Sequence, residues 1–436
     1  MIILAIETSC DETSVAIIEA KGGLENPSFE ILSNVVLSQI KIHKKWGGVV
    51  PKLARREHQK NLIPILEKSL KKASFYNSKL KTQNTKTQFK IKNEEEIKRI
   101  LNREPELLEQ FLKFIPSIKP PKIDAIAVTV GPGLEPALWV GINFARALSF
   151  VWNKPVVAVN HMEGHMTAVL LQNSGISNFK FLISKQIQKS KNLNKKQIKF
   201  PAIALLVSGG HTELVLIKKW GDYKIIGETR DDAAGECFDK TARMLELPYP
   251  GGPQIAKQAE NFKKYPLTFR MGGWARREME KEAFNIKLPR PMIDSKDYDF
   301  SFSGLKTATL YMLRDMKERH INIGDFTPMI CNEIQQAIID VLITKTMKAA
   351  KEFGAKSIIL GGGVAANKEL RLQMKKAVKM SRRDLDIDGQ TTTLFLPSAK
   401  LTTDNAAMIG AAGYLHAVNK DFAKPEKLIA QGNLSL

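Results

Sequence analysis

The sequence predicts an α/β protein built twice on one plan. Three observations carry that reading. A strand hairpin opens the chain, and a second one opens its later half. Each hairpin is followed by helices. Each half then reaches a buried-type strand that runs into glycines, at 131–133 and at 361–363. Strands mixed with helices at these spacings favour sheets covered on both faces. A chain of 436 residues is long enough for two or more domains, each with its own core. Hydrophobic residues at 43% and charged residues at 25% exclude collagen, a coiled coil and a wholly disordered chain.

The elements follow in order. Apolar runs at 2–6 and 15–18 are strands joined by the polar turn E-T-S-C-D-E-T, and a third strand spans 31–37. Residues 52–75 are helical, with Leu62, Leu66 and Leu70 at i+4 spacing. A helix over 94–114 ends before Pro116. Residues 123–130 are a strand, 137–150 a helix, 155–159 a strand and 161–172 a helix. The second half repeats the outline: strands at 202–207, 213–217 and 223–229, helices near 235–246, 303–319 and 328–353, strand 357–360 and helix 364–379. Segments 76–118, 173–200 and 380–392 are expected to be insertions outside this core. Residues 1–172 would form the first domain and 201–436 the second, with the C-terminal helix packing back on the first.

The formal net charge is +21, and it is uneven. Residues 76–93 hold five lysines and no acid, and residues 175–200 hold seven lysines and no acid. Such segments are either solvated surface or an electrostatic guide for a polyanion such as RNA. Neither interleaves aromatics as a base-stacking platform would. Cys10, Cys237 and Cys331 lie far apart with no C-x-x-C pair, so reduced thiols are expected. No run of 18 uncharged apolar residues suggests a membrane span, and the first residues lack a basic leader, so a cytoplasmic location is expected.

Five motifs offer chemistry. The turn Glu7 to Thr13 carries hydroxyls and three carboxylates, Glu7, Asp11 and Glu12. Those acids would repel a bare phosphate, so the motif is either an ordinary polar turn or part of a metal or base site. Val207-Ser208-Gly209-Gly210-His211-Thr212 is a tight hairpin or a place of close backbone approach to a ligand. Gly361-Gly362-Gly363-Val364-Ala365-Ala366-Asn367 follows a strand and opens a helix, a context that suits phosphate or ribose binding. It is neither a P-loop nor a G-x-G-x-x-G fingerprint. Tyr249-Pro250-Gly251-Gly252-Pro253 reads as a turn before a helix. In His161-Met162-Glu163-Gly164-His165 the two histidines at i and i+4 share a helix face and can reach one metal. Glu163 points elsewhere, so this is not the zinc-protease H-E-x-x-H. A distant carboxylate would complete the set. Asp404 is a candidate, although it also stands where a helix N-cap is expected.

Together these residues closely resemble the tRNA N6-adenosine threonylcarbamoyltransferase family, once described as glycoprotein endopeptidases. The matching stretches run nearly the whole length in family order: IETSCDETSVAI (6–17), WGGVVPKLARREH (46–58), VTVGPGLEPALWVG (128–141), NHMEGH (160–165), LLVSGGHTELVL (205–216), DDAAGECFDKTARML (231–245), YPGGP (249–253), DFSFSGLKTA (299–308), GGGVAAN (361–367) and TTDNAAMIG (402–410). Lys52, Pro136 and Cys237 depart from the family's usual residues.

The resemblance implies a duplicated actin/sugar-kinase/Hsp70-type fold of two lobes, carrying the lysine-rich insertions. It implies transfer of a threonylcarbamoyl group from threonylcarbamoyl-adenylate to N6 of the adenosine beside the tRNA anticodon, releasing AMP. It carries metal ligation onto His161, His165 and Asp404, with one divalent metal per chain, iron, or zinc in its place. It carries substrate binding onto Leu206, Val207, Ser208, Gly209, Gly210, Asp239, Gly252 and Asn367. Asp11 or Glu12 would accept the amine proton. The implied partners are tRNA, a threonylcarbamoyl-AMP synthase that supplies the donor, and, as in bacteria, a paralogue and a small ATPase, with no membrane. The competing readings are a small-molecule kinase or ATPase on the same fold and a non-catalytic scaffold paralogue. A metallopeptidase lacks its general-base glutamate.

Overall fold

The computed structural model describes residues 1–76, 93–173, 197–264, 286–384 and 392–436. The chain divides into two compact units, one of Met1–Gln197 with Pro397–Leu436 and one of Ile198–Leu396. Most of both lysine-rich segments lies outside the described residues.

The first unit starts with β1 (Ile2–Glu7), β2 (Glu12–Lys21) and β3 (Ser28–Ser38). They form an antiparallel meander, with Ile3 opposite Ile18 and Val15 opposite Val35. Along β3 buried residues alternate with more exposed ones, as a strand covered on one face should read. Next come the short α1 (Ile40–His43), α2 (Pro51–Lys72), α3 (Glu94–Ile100) and α4 (Pro105–Phe114). The wholly buried β4 (Ala125–Gly131) runs parallel to β1, and β5 (Val156–Asn160) runs parallel to β4. A continuous apolar run is what an interior parallel strand needs. Between them lies α5 (Glu135–Trp152), and α6 (His161–Thr167) follows β5 directly. The sheet order is β3-β2-β1-β4-β5.

Two expectations are corrected here. The helix expected over 94–114 is two helices, because Pro105 has no N–H to continue the first and instead opens the second. Of the stretch 76–118 expected to be an insertion outside the core, 77–92 lie outside the described residues, and 94–115 are part of the core. Ile97, Leu101, Leu107, Phe111, Phe114 and Ile115 are buried within the same apolar cluster as Leu4, Ile6 and Leu62.

The second unit repeats the plan. It contains β6 (Ala202–Val207), β7 (Thr212–Lys219), β8 (Asp222–Glu228), α7 (Ala234–Met244), α8 (Gly251–Lys264), α9 (Ser303–Glu318) and α10 (Ile323–Glu352). Then follow β9 (Ser357–Gly361), α11 (Lys368–Asp384) and β10 (Thr393–Phe395). The sheet order is β10-β9-β6-β7-β8. A central strand again has an antiparallel meander on one side and two parallel strands on the other. That internal match gives the duplicated α/β fold. The strand β10 was not expected from the sequence. The helix expected over 364–379 starts later, after a 3-10 turn at Gly363–Ala366.

The last helix, α12 (Ala406–Val418), belongs to the first unit rather than the second. Its small residues allow a close approach to the sheet. A Cβ on Gly413 would stand 2.5 Å from the Ala127 Cβ on β4. Among the described residues, no helix is long and apolar enough to cross a membrane.

Candidate metal centre and glycine loops

The centre is built within the first unit. At the end of β5, Asn160 caps α6 by accepting from the Met162 and Glu163 amides at 2.8 and 3.4 Å. That cap fixes the first turn, and one turn of helix then stacks His161 and His165, their ring centroids 4.7 Å apart and edge-on. Asp404 reaches both rings. Its Oδ1 lies 3.4 Å from His161 Nε2 and 3.2 Å from His165 Nε2. Asp404 is not the N-cap of α12. Asn405 takes that role, its side chain accepting from Met408 N at 3.3 Å, and this leaves the Asp404 carboxylate free for the histidines.

Behind His161 stands Glu7, one of the three carboxylates that the sequence left open between an ordinary polar turn and a metal or base site. Its Oε2 lies 3.1 Å from His161 Nδ1 and accepts from Thr129 Oγ1 at 2.6 Å; its Oε1 accepts from Ser9 N at 2.5 Å. Ser9 Oγ is 3.2 Å from the same Nδ1. With Nδ1 occupied by this bond, Nε2 of His161 is the nitrogen turned toward Asp404. Glu163 does point away from the centre, as expected, and its Oε2 meets His416 of α12 at 2.7 Å.

Burial pulls the His161 imidazole down, but the Asp404 and Glu7 carboxylates overcome it and hold it well above its ordinary value. Burial alone would raise Asp404; His161 and then His165 hold it well below the carboxylate range. His165 is lowered, chiefly by burial. The wholly buried Glu7 and the half-buried Asp404 flank the two imidazoles, an arrangement that favours positive charge between them. His165 shows what kind: neither of its buried ring nitrogens makes a hydrogen bond among the described residues. Its Nε2 is aimed at the carboxylate without hydrogen-bond geometry. Two imidazoles and one carboxylate, with ligand atoms within 4.8 Å of one another, fit a divalent metal bound by three protein ligands with further positions open.

The acidic turn adjoins this centre. Glu12 Oε1 accepts from Ser38 Oγ at 3.0 Å, whereas the buried Asp11 Oδ2 accepts no hydrogen bond among the described residues. Burial, then Asp404 and Asp11, push Glu12 up to about 10. Asp11 is also raised, first by burial. Burial followed by Asp11 holds the Cys10 thiol well above its usual range, which disfavours a thiolate nucleophile. The motif at 46–58 supports this turn from below. His58, kept neutral by burial at about 4, lies 3.0 Å from Cys10 O through Nε2 and 2.8 Å from Thr13 Oγ1 through Nδ1.

The glycine loops lie in the second unit. Gly209 and Gly210 bridge β6 and β7, and a Cβ on either would meet nothing within 4 Å. Ser208 closes the turn: its N–H donates to His211 O at 2.8 Å and its Oγ accepts from His211 N at 3.0 Å. Leu206 and Val207 are buried strand residues that offer only backbone. Asp239 Oδ1 accepts from Gly251 N at 2.6 Å at the start of α8. A Cβ on Gly252 would make ordinary contact with the Phe238 side chain at 3.8 Å. Asn367 caps α11, accepting from Glu369 N at 2.9 Å and Leu370 N at 3.1 Å, and its Nδ2 donates to Gln335 Oε1 at 2.8 Å. Gly362 has φ +88, and a Cβ there would collide with Val207 O at 2.3 Å.

The TsaD profile, tRNA N6-adenosine threonylcarbamoyltransferase, matches residues 30–82, 98–183 and 186–411. The tRNA N6-adenosine threonylcarbamoyltransferase of Bacillus subtilis is 40% identical over 95% of this chain and 90% of its own. That of Thermosipho africanus is 38% identical over all of both chains. Among solved structures, a ROK hexokinase from Thermus thermophilus shares 13% identity at a TM-score of 0.37, covering 96% of this chain and 100% of its own. YeaZ from Pseudomonas aeruginosa shares 14% at 0.24, covering 52% and 67%. At those scores nothing about this chain follows from the two structures, and the fold rests on its sheet topology. On the profile and the full-length relatives, the chain belongs to the tRNA N6-adenosine threonylcarbamoyltransferase family.

Proposed function

We propose that this protein transfers the threonylcarbamoyl group of threonylcarbamoyl-adenylate to N6 of the adenosine beside the tRNA anticodon, with AMP leaving. The observation that carries the reading is the convergence of the buried His161 and His165 with the half-buried Asp404 in a chain of this family. These three residues would hold one divalent metal, iron or zinc. When bound, it supplies charge that offsets the leaving phosphate and polarises the carbonyl. A kinase on such a fold would call for magnesium held by carboxylates, which two imidazoles do not favour.

The remaining work is positioning. The donor is a mixed carbamic–phosphoric anhydride and already activated, whereas the adenosine amine is a weak nucleophile with its lone pair drawn into the ring. Alignment therefore governs the rate. Neither packing nor φ requires glycine at Gly209 or Gly210, which supports close approach of the adenylate to their backbone. Asp239 and Asn367 would act on it through the helix-start amides they orient. Asp11, with Oδ2 unbonded, is better placed to accept the amine proton than Glu12, whose Oε1 already accepts from Ser38 Oγ. A separate synthase would supply the adenylate from threonine, bicarbonate and ATP, and a paralogue and a small ATPase would assist in the cytoplasm.

The test is a transfer assay with unmodified tRNA, presynthesised adenylate and the helper proteins, read by nucleoside mass spectrometry. Threonylcarbamoyladenosine should form with the wild type and collapse in His161→Ala and His165→Ala. Product in both variants would remove the metal role, and no product from the wild type would remove the transferase reading.

A further inference from the structure

Residues 38–56 hold six lysines and arginines and no acid. At their centre is Trp46, 69% exposed and the most exposed of the large hydrophobic side chains among the described residues. Lys41, Lys44, Lys45, Lys52 and Arg56 are exposed around it, and none makes an ion pair among the described residues. Arg55 alone is engaged, with Glu104 at 3.7 Å and with Arg103 O. Trp46 sets one large exposed aromatic face within this basic stretch.

The loop is held in place from beneath. His43 is buried; its Nε2 lies 3.0 Å from Gln39 Oε1, and its Nδ1 accepts from Val50 N at 3.2 Å. Gly47, at φ +66, ends the turn that displays Trp46. The segment is also bonded to the acidic turn of the candidate site. Gln39 N donates to Asp11 O at 2.9 Å, and Ser38 Oγ donates to Glu12 Oε1 at 3.0 Å. An exposed indole within a stretch of exposed cations that make no ion pair among the described residues suits a ligand with flat apolar faces and a row of negative charges. Unpaired RNA has both.

We propose that residues 41–56 are a contact for single-stranded RNA. Trp46 stacks an unpaired base of the tRNA loop near the target adenosine, and Lys44, Lys45, Lys41 and Lys52 meet its phosphates. This rests on the transferase reading above. It places a positioning residue outside the metal centre, on the same turn network as Asp11 and Glu12.

The experiment compares wild type, Trp46→Phe, Trp46→Ala and the double variant Lys44→Gln/Lys45→Gln, with the helper proteins present. Binding of unmodified tRNA is measured over a salt series, and steady-state transfer is measured alongside. Trp46→Ala should weaken tRNA binding about tenfold. It should appear as a raised KM for tRNA with kcat and the KM for the adenylate unchanged, and Trp46→Phe should restore most of the loss. The lysine variant should lower the slope of log K against log salt by about 1 to 1.5, while Trp46→Ala leaves the slope alone. Wild-type tRNA affinity in Trp46→Ala overturns the proposal. So does unchanged tRNA affinity accompanied by lost binding to phosphatidylserine vesicles or to a helper protein. If the wild type makes no threonylcarbamoyladenosine, the transferase reading has failed. The binding series then still decides whether the loop holds RNA.

Discussion

Asp404 Oδ1 stands 3.2 Å from His165 Nε2 because the neighbouring Asn405, not Asp404, caps the C-terminal helix. One residue position therefore separates a structural task from a chemical one, and substitution can part them. Asn405→Ala should cost about 1 kcal/mol of stability through the lost cap and leave metal stoichiometry near that of the wild type. Asp404→Asn should keep the helix and lose the metal. Elemental analysis beside urea unfolding reads both effects. Equal metal loss in the two variants would contradict this division.

Glu7 is a positioning residue for His161. Its carboxylate is wholly buried, tied by Thr129 and the Ser9 amide, and it faces Nδ1 of the ring. Outer partners of this kind fix the ring and raise its basicity. Removing them costs about 10- to 100-fold in metal affinity. Glu7→Gln preserves shape and most hydrogen bonds, so the chain should fold while zinc or iron affinity falls by that factor. Competition with a chelating dye measures it without any activity assay. Unchanged affinity would make Glu7 merely structural.

The pairing of His161 with His165 was legible in the sequence because they are one helical turn apart, and periodicity alone puts them on one face. Glu7 was not, because it meets His161 across 154 residues and only the pairing of β1 with β4 and β4 with β5 brings them together. The Asp404 role was ambiguous for a local reason: Asp and Asn are both good caps, and the two stand side by side. The duplicated sheets were readable from their apolar runs. The helices at 94–114 were misplaced because lysine-rich flanks suggested surface, although Ile97, Leu101, Leu107 and Phe111 already carry an apolar stripe. Asp239 and Asn367 turn out to brace helix starts, a use that no motif spacing reveals.

Glycines in the second unit separate by what surrounds them. Gly362 is required by the chain itself, with positive φ and Val207 O in the way of any Cβ. Gly362→Ala should destabilise that unit by about 1 to 3 kcal/mol. Gly210 is required by neither, so Gly210→Ala should melt as the wild type does. If the adenylate lies against that backbone, the variant should lose about tenfold or more in kcat/KM for the adenylate while the KM for tRNA holds. Normal kinetics in Gly210→Ala would remove the loop from the donor site.

The pair Glu163–His416 should make stability depend on pH. His416 is raised to about 9, first by its bond to Glu163, and Asp421 at 2.7 Å adds to it. The pair ties α6, which carries His161 and His165, to the end of α12. A histidine raised above its unfolded value contributes stability that is fully present below about 6.5 and is lost as pH rises through about 9. With His416 partly exposed, the contribution is of order 2 kcal/mol. Urea unfolding at pH 6 and pH 10 should show it as a difference between wild type and His416→Gln. Glutamine can still bond Glu163 but has no proton to lose. Lysines and tyrosines titrate in both proteins, so only the gap between them is informative. It should be widest at pH 6 and nearly closed at pH 10, and a gap constant across that range would show that the imidazolium charge contributes nothing to holding the two helices together.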